Sequence, residues 1–177
     1  MSSSINPKIR DEVLKAYEKG WESALVKAVE DAIVGSTGLE LNLIKTESLS
    51  QAPLASRTGF QVSGIIGLNA GEIVGNICVM FSKEAILEIA ETAYCQSFTK
   101  IEGPVLDCVG EITNLVHGIF KRQISEKGYF LKISLPNVIL GEHQVVSLVA
   151  TKYFRAEYQL ASQKRIDVSM TIDLGSD

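Results

Sequence analysis

The sequence predicts an α+β fold in which long helices pack on one face of a mainly antiparallel β-sheet. Three observations carry that prediction. Apolar side chains recur every fourth residue in the first 35 positions, a second long helical pattern follows Gly103-Pro104, and the β-rich segments 59–68 with 72–81, and 144–160 with 165–174, form two pairs each joined by a short polar turn. At 177 residues and 46% hydrophobic, the chain can fill one domain spanning 1–177, and no linker, repeat or low-complexity tract divides it.

Taken in order, Asn6 and Pro7 have the chemistry of an N-cap and a first helical residue, and Ile9, Val13, Tyr17, Trp21 and Leu25 form an apolar stripe behind them. Gly20 is a potential bend, and the stretch from Gly35 to Gly38 ends this helix. Residues 39–44 and 59–68 read as strands, with the Ser-, Gln- and Pro-containing segment 48–58 as a mobile loop between them. Asn69-Ala70-Gly71 is a short turn leading into the strand 72–81, so 59–68 and 72–81 are expected to pair as an antiparallel hairpin. Ser82 is placed to cap a helix running to about Tyr94, with Ile86, Leu87, Ile89 and Ala90 inward. Gly103-Pro104 opens the next helix and Gly128 is expected at its C-cap. The region 131–140 is strand-like but interrupted by Pro136 and Asn137, and 144–160 and 165–174 complete the sheet around a polar turn at 161–164.

The helix after Pro104 carries the strongest functional signal. At about 100° per residue, Asp107, Gly110, Glu111, His117, Gly118 and Lys121 lie within about 60° of Asn114, whereas Val105, Val109, Ile112, Leu115, Val116 and Ile119 point the other way. Glycine inside a helix costs roughly 1 kcal/mol relative to alanine, so Gly110 and Gly118 on a polar face mark either the close approach of a partner or a relic of internal packing. Glu111 and Asn114 project together from one turn. An amide cannot abstract a proton, so this pair does not suit two-carboxylate acid–base catalysis, but an amide can hold a water in line for phosphoryl hydrolysis while the carboxylate anchors a cation. On pattern alone, a solvated polar face is the simpler reading. Asp107 is expected to complement the helix dipole or support the site, and His117 is expected to face solvent at the stripe's edge, where it would tune charge near neutral pH.

Other chemistries fit poorly. With two histidines, and with Cys78, Cys95 and Cys108 far apart in apolar surroundings, no metal site is expected and the thiols read as reduced core residues. None of the cysteines has a local electropositive neighbour, and Ser-His-Asp machinery would need partners from unrelated elements. Gly64, Gly67, Gly71 and Gly75 lie within a strand hairpin, so they do not form a phosphate-cradling loop between a strand and a helix. A net charge of −4 with one Lys-Arg pair, Lys121 and Arg122, disfavours nucleic acid. No run of eighteen apolar residues suggests a membrane span, and residues 1–6 lack the features of a secretory signal, so a cytoplasmic location is expected.

Asp107-x3-Glu111-x2-Asn114, followed by Gly118, Ser125-Glu126-Lys127-Gly128-Tyr129 and Ile133-Ser134-Leu135-Pro136, resembles the CheX family of chemotaxis phosphatases, within the wider superfamily that includes CheC and FliY. Ser63-Gly64-Ile65-Ile66-Gly67-Leu68 and the strand after it resemble that family's glycine-rich strand pair, so the likeness covers a core of 59–174, with 1–35 as an added helical segment. The related CheC branch usually carries two Glu-x2-Asn motifs; the single copy here favours CheX. The resemblance implies a CheC/CheX-like fold, a homodimer formed through the sheets, and hydrolysis of the aspartyl phosphate of a CheY-type response regulator. It further implies that Asn114 orients the attacking water, that Glu111 pairs with the regulator's active-site lysine, and that Mg2+ is held by the regulator, this chain binding no cofactor of its own. Asp107, Gly110, His117, Gly118 and Lys121 would support or dock. The rival expectations are a CheX-like adaptor that binds a regulator without hydrolysing it, and a flagellar-switch component, which would need further targeting segments.

Overall fold

A computed structural model of the protein describes residues 11, 14–15, 20–49, 58–70, 73–132, 134–141 and 152–173. Within them, three helices and six strands follow one another as α1 (Glu22–Thr37), β1 (Leu41–Leu49), β2 (Val62–Ala70), β3 (Ile73–Phe81), α2 (Lys83–Tyr94), α3 (Pro104–Ser125), β4 (Asn137–Leu140), β5 (Lys152–Leu160) and β6 (Arg165–Asp173). The strands form one six-stranded sheet in the order β1-β5-β6-β3-β2-β4, and every neighbouring pair is antiparallel.

Local chemistry sets the element ends where the sequence predicts them. Gly38, at φ 71°, takes the left-handed turn that stops α1, and its N–H donates to Val34 O at 2.7 Å. Ser82 Oγ accepts from Ala85 N–H at 3.3 Å and caps α2, whose Ala85, Ile86, Ile89 and Ala90 are buried. Pro104 opens α3 as its first residue. The α3 helix stops at Ser125, before Gly128; that glycine, at φ 90°, instead closes the following turn, with its N–H on Ser125 O. The hairpin pairs Val62 with Phe81 through Ala70 with Ile73. Two strand boundaries also differ from expectation. Strand β1 runs on to Leu49, accommodated by a register shift between Leu43 and Lys45, because its whole length pairs with β5. In the 131–140 region only Asn137–Leu140 is a strand, since Pro136 cannot donate to a ladder. The expected helix start at Asn6 and Pro7, its residues Ile9, Val13 and Tyr17, the middle of the 48–58 loop, Gly71, Ile133, and His143 with the strand's beginning at 144–151 lie outside the described residues.

The period of two places Val62, Ile66 and Leu68 of β2, Ile77, Val79 and Phe81 of β3, and Ile166, Val168 and Met170 of β6 on one face, in a single cluster with the buried side chains of all three helices. Trp21, just before α1, packs edge-on against Phe120 and Tyr129, with centroids 5.7 and 5.4 Å away, and Lys127 Nζ donates to Gly20 O at 3.2 Å. On the other face, Arg155 Nε donates to both carboxylate oxygens of the buried Asp167 at 3.0 Å, and Phe60, Cys78 and Met80 form a smaller apolar group. No helix among the described residues is long and apolar enough to cross a membrane.

Helix α3 lies against β2 at one close contact. A Cβ added to Gly64 would overlap Thr113 Oγ1 and sit 2.8 Å from Thr113 Cβ, so only glycine lets the helix come this near. The Thr113 hydroxyl is buried but satisfied, donating to Val109 O one turn back at 2.7 Å. Gly64→Ala should therefore destabilise the fold by about 1–3 kcal/mol through overpacking. Thr113→Ala in the same chain should recover part of that loss in urea denaturation, and simple additivity of the two changes would contradict the contact.

Candidate functional site

Asp107, Glu111, Asn114 and Gly118 of α3 are exposed, Gly110 and Lys121 are half-buried, and all six lie on one side of the helix, as the spacing predicts. His117 does not join them. It is only 4% exposed, and its Nε2 has no hydrogen-bond partner among the described residues. Leu115, expected inward, is 44% exposed. These two corrections have one cause. The flank bearing Gly110, Thr113 and His117 is turned toward β2 and β4, where Thr113 meets Gly64 and a Cβ on Gly110 would sit 3.7 Å from Val138 Cγ2. The exposed arc is thereby rotated roughly 40° toward Glu111 and Leu115 from the arc centred on Asn114.

The two glycines can now be separated from packing. Gly118 faces open space, and Gly110 has only van der Waals company, so internal crowding excludes a methyl group at neither position. Their bareness leaves a smooth face beside Glu111 and Asn114 that another surface can approach closely.

Beside Glu111 the helix borders an open cleft of about 700 Å³, walled by Tyr94, Phe98, Leu106, Asp107 and Val138. Tyr94 Oη donates to Glu111 Oε2 at 3.3 Å. Burial, reinforced by Cys108, Glu111 and Asp107, pushes the Tyr94 phenol up to about 12, and burial together with Glu111 pushes the Cys108 thiol up to about 11. Both stay protonated at neutral pH, so neither is an activated nucleophile. Periodicity on α3 does not reveal Tyr94 or Val138, because they come from α2 and β4; only the tertiary pairing brings them to the site. Cys95, expected in the core, is exposed because it ends α2 in the left-handed conformation at φ 52°; Cys78 and Cys108 are buried, and none of the three forms a disulfide.

Asn114 offers an uncharged donor–acceptor pair and Glu111 an anion one turn away, both turned outward from a rigid 22-residue helix. Such a surface can orient a water and hold a cation, provided that the reacting group is brought to it. Among the described residues, no three His, Cys, Asp or Glu side chains are grouped as metal ligands.

The family profile described as "Chemotaxis phosphatase CheX" matches residues 62–155, more than half of the chain and inclusive of the whole α3 face. No curated protein matches the sequence. Among solved structures, a CheC-like superfamily protein from Shewanella sp. PV-4 superposes with a TM-score of 0.78 at 22% identity, covering 86% of this chain and 97% of that one. The chemotaxis protein CheX from Vibrio vulnificus gives 0.76 at 21%, covering 86% and 99%. A chain of the CheX–CheY–BeF3–Mg2+ complex from Borrelia burgdorferi gives 0.73 at 22%, covering 86% and 97%. At these identities the likeness is one of fold.

The buried histidine gives this region a pH signature. Burial, with Lys121 one turn on, holds the His117 imidazole below its ordinary 6.5. The unfolded chain therefore binds the extra proton first, so the contribution is complete above about pH 6.5 and is lost as the pH falls toward the lower folded value. The urea midpoint should decline between pH 7 and 5.5, and less steeply in His117→Leu, which removes the titrating group and its unpartnered nitrogen; parallel declines would place the titration elsewhere.

Proposed function

Since the chain belongs to the CheX family of chemotaxis phosphatases, we propose that it hydrolyses the aspartyl phosphate of a CheY-type response regulator, with Asn114 orienting the attacking water and Glu111 docking to the regulator's active-site lysine. The observation that carries this reading is the outward pairing of Glu111 and Asn114 on the exposed arc of α3, with no side chain of their own helix rising above Gly110 and Gly118.

Phosphoryl hydrolysis asks a protein mainly for orientation and charge stabilisation. Here the Asn114 carbonyl would accept a hydrogen bond from the water and its NH2 would donate to a neighbouring oxygen, fixing the water's lone pair along the line of attack. The water oxygen bonds to phosphorus as the bond to the aspartyl oxygen breaks, the aspartate leaves as carboxylate, and the water's protons pass to phosphate and solvent. Glu111 stays away from the phosphoryl group, since two anions at close range repel, and pairs with a lysine ammonium. Mg2+ in such a complex would be held by the regulator and would supply charge neutralisation at the phosphoryl oxygens. Asp107, Gly110, Gly118 and Lys121 would flank the docked partner, and His117 would act from beneath as a packing residue. We further propose that the chain functions as a homodimer.

Asn114→Ala should lower the accelerated dephosphorylation of a matched regulator about 100-fold while sparing most of its affinity, because only orientation is lost. Glu111→Ala should weaken binding about 10-fold or more and depress the rate with it. Phosphate release and direct binding, measured side by side, separate the two roles. Binding without acceleration by the wild type would make the chain an adaptor, and equal binding losses with no catalytic effect would overturn both assignments. Gly118→Ala should stabilise the helix by about 0.5–1 kcal/mol yet weaken regulator binding; a tighter complex would show that nothing approaches that face closely.

A further inference from the structure

Glu111 is exposed and extends from a helix surface, where a glutamate samples several rotamers unless something holds it. Something does. Tyr94 Oη donates to Glu111 Oε2 at 3.3 Å, and no other side chain among the described residues bonds to this carboxylate. Tyr94 is itself held. It is the last residue of α2, Cys95 turns the chain sharply at φ 52°, and the returning Phe98 packs edge-on to the Tyr94 ring at 6.2 Å. The fold-back is pinned by Phe98 N–H donating to Glu91 Oε1 at 3.0 Å on the same helix. The hydroxyl thus stands on a braced corner, and both it and Glu111 border the 700 Å³ cleft.

We propose that Tyr94 is a positioning residue, its hydroxyl holding the Glu111 carboxylate at the lip of the cleft so that the anion is already aimed when a cationic group of the regulator arrives. This inference rests on the docking role proposed for Glu111. Preorganisation of this kind raises affinity by lowering the ordering cost of binding, and leaves the chemical step untouched. The 3.3 Å separation is long for a hydroxyl–carboxylate bond, so it restrains the carboxylate without saturating it, leaving lone pairs for the incoming cation. Burial and the neighbouring Cys108, Glu111 and Asp107 keep the phenol protonated well beyond neutral pH, so the donor is present throughout the working range.

Two measurements test this. The first needs no partner. In a tyrosine ring carbon NMR titration of the free protein, the Tyr94 midpoint should lie above the ordinary 10, chiefly through burial, and should drop in Glu111→Gln by the share that the carboxylate's charge and hydrogen bond contribute; an unchanged midpoint would overturn the contact. The second uses Tyr94→Phe, which keeps the ring and its packing on Phe98. It should raise KM for the phosphorylated regulator about threefold to tenfold with kcat within about twofold, and should add nothing in a Glu111→Ala background. Equal losses in both backgrounds, or a fall in kcat at unchanged KM, would show that Tyr94 does not act through Glu111. A wild-type chain that neither binds nor dephosphorylates the regulator would remove the docking role and this inference with it. Full wild-type activity with additive losses would remove this inference alone.

Discussion

The close contact of Gly64 with Thr113 is the constraint on which the rest of the arrangement depends. It sets the depth at which α3 lies on β2, and because the contact falls on one flank of the helix, it also sets the rotation. The flank of Thr113 and His117 goes down, and the arc of Glu111, Asn114, Leu115 and Gly118 comes up. A side chain at position 64 would lift the helix and turn that arc. The threonine also suits the contact, because its hydroxyl is satisfied within its own helix and makes no demand on the strand beneath.

Once seated, α3 organises the other helices. Its far half receives Trp21 against Phe120, and the turn after it contributes Tyr129 and the Lys127 ammonium to the start of α1. Its near half receives the end of α2 through Tyr94 and Glu111. The polar face therefore rests on a helix fixed from three sides, by β2, α1 and α2, and rigid support of this kind is what a site working by orientation requires. The protonated phenol and thiol nearby fit the proposed division of labour, in which this chain would supply geometry and a partner the reactive group.

Much of this was legible in the sequence wherever a local signal has a local cause. Ser82 announces α2 because its hydroxyl serves an N–H three residues on, Gly103-Pro104 announces α3, and the hairpin follows from two alternating segments around a short polar turn. Glu111 and Asn114 were visible as a pair because three residues of helix place them on one side. What escaped depends on neighbours distant in the chain. The depth of His117 and the exposure of Leu115 follow from where β2 and β4 meet the helix, and helical period alone cannot locate that line. Tyr94 reaches Glu111 across 17 positions, and Cys95 leaves the core through a left-handed turn that its identity does not signal. The extension of β1 to Leu49 is likewise dictated by its partner β5.

The most direct test of the proposed chemistry is a crystal structure of this chain bound to a response regulator activated with beryllofluoride and Mg2+. The account predicts α3 laid across the regulator's phosphorylation site, with the Asn114 amide within hydrogen-bonding distance of a water in line with the beryllofluoride and Glu111 paired to a lysine ammonium. A regulator seated on another surface, or an Asn114 side chain turned away from the beryllofluoride, would contradict it.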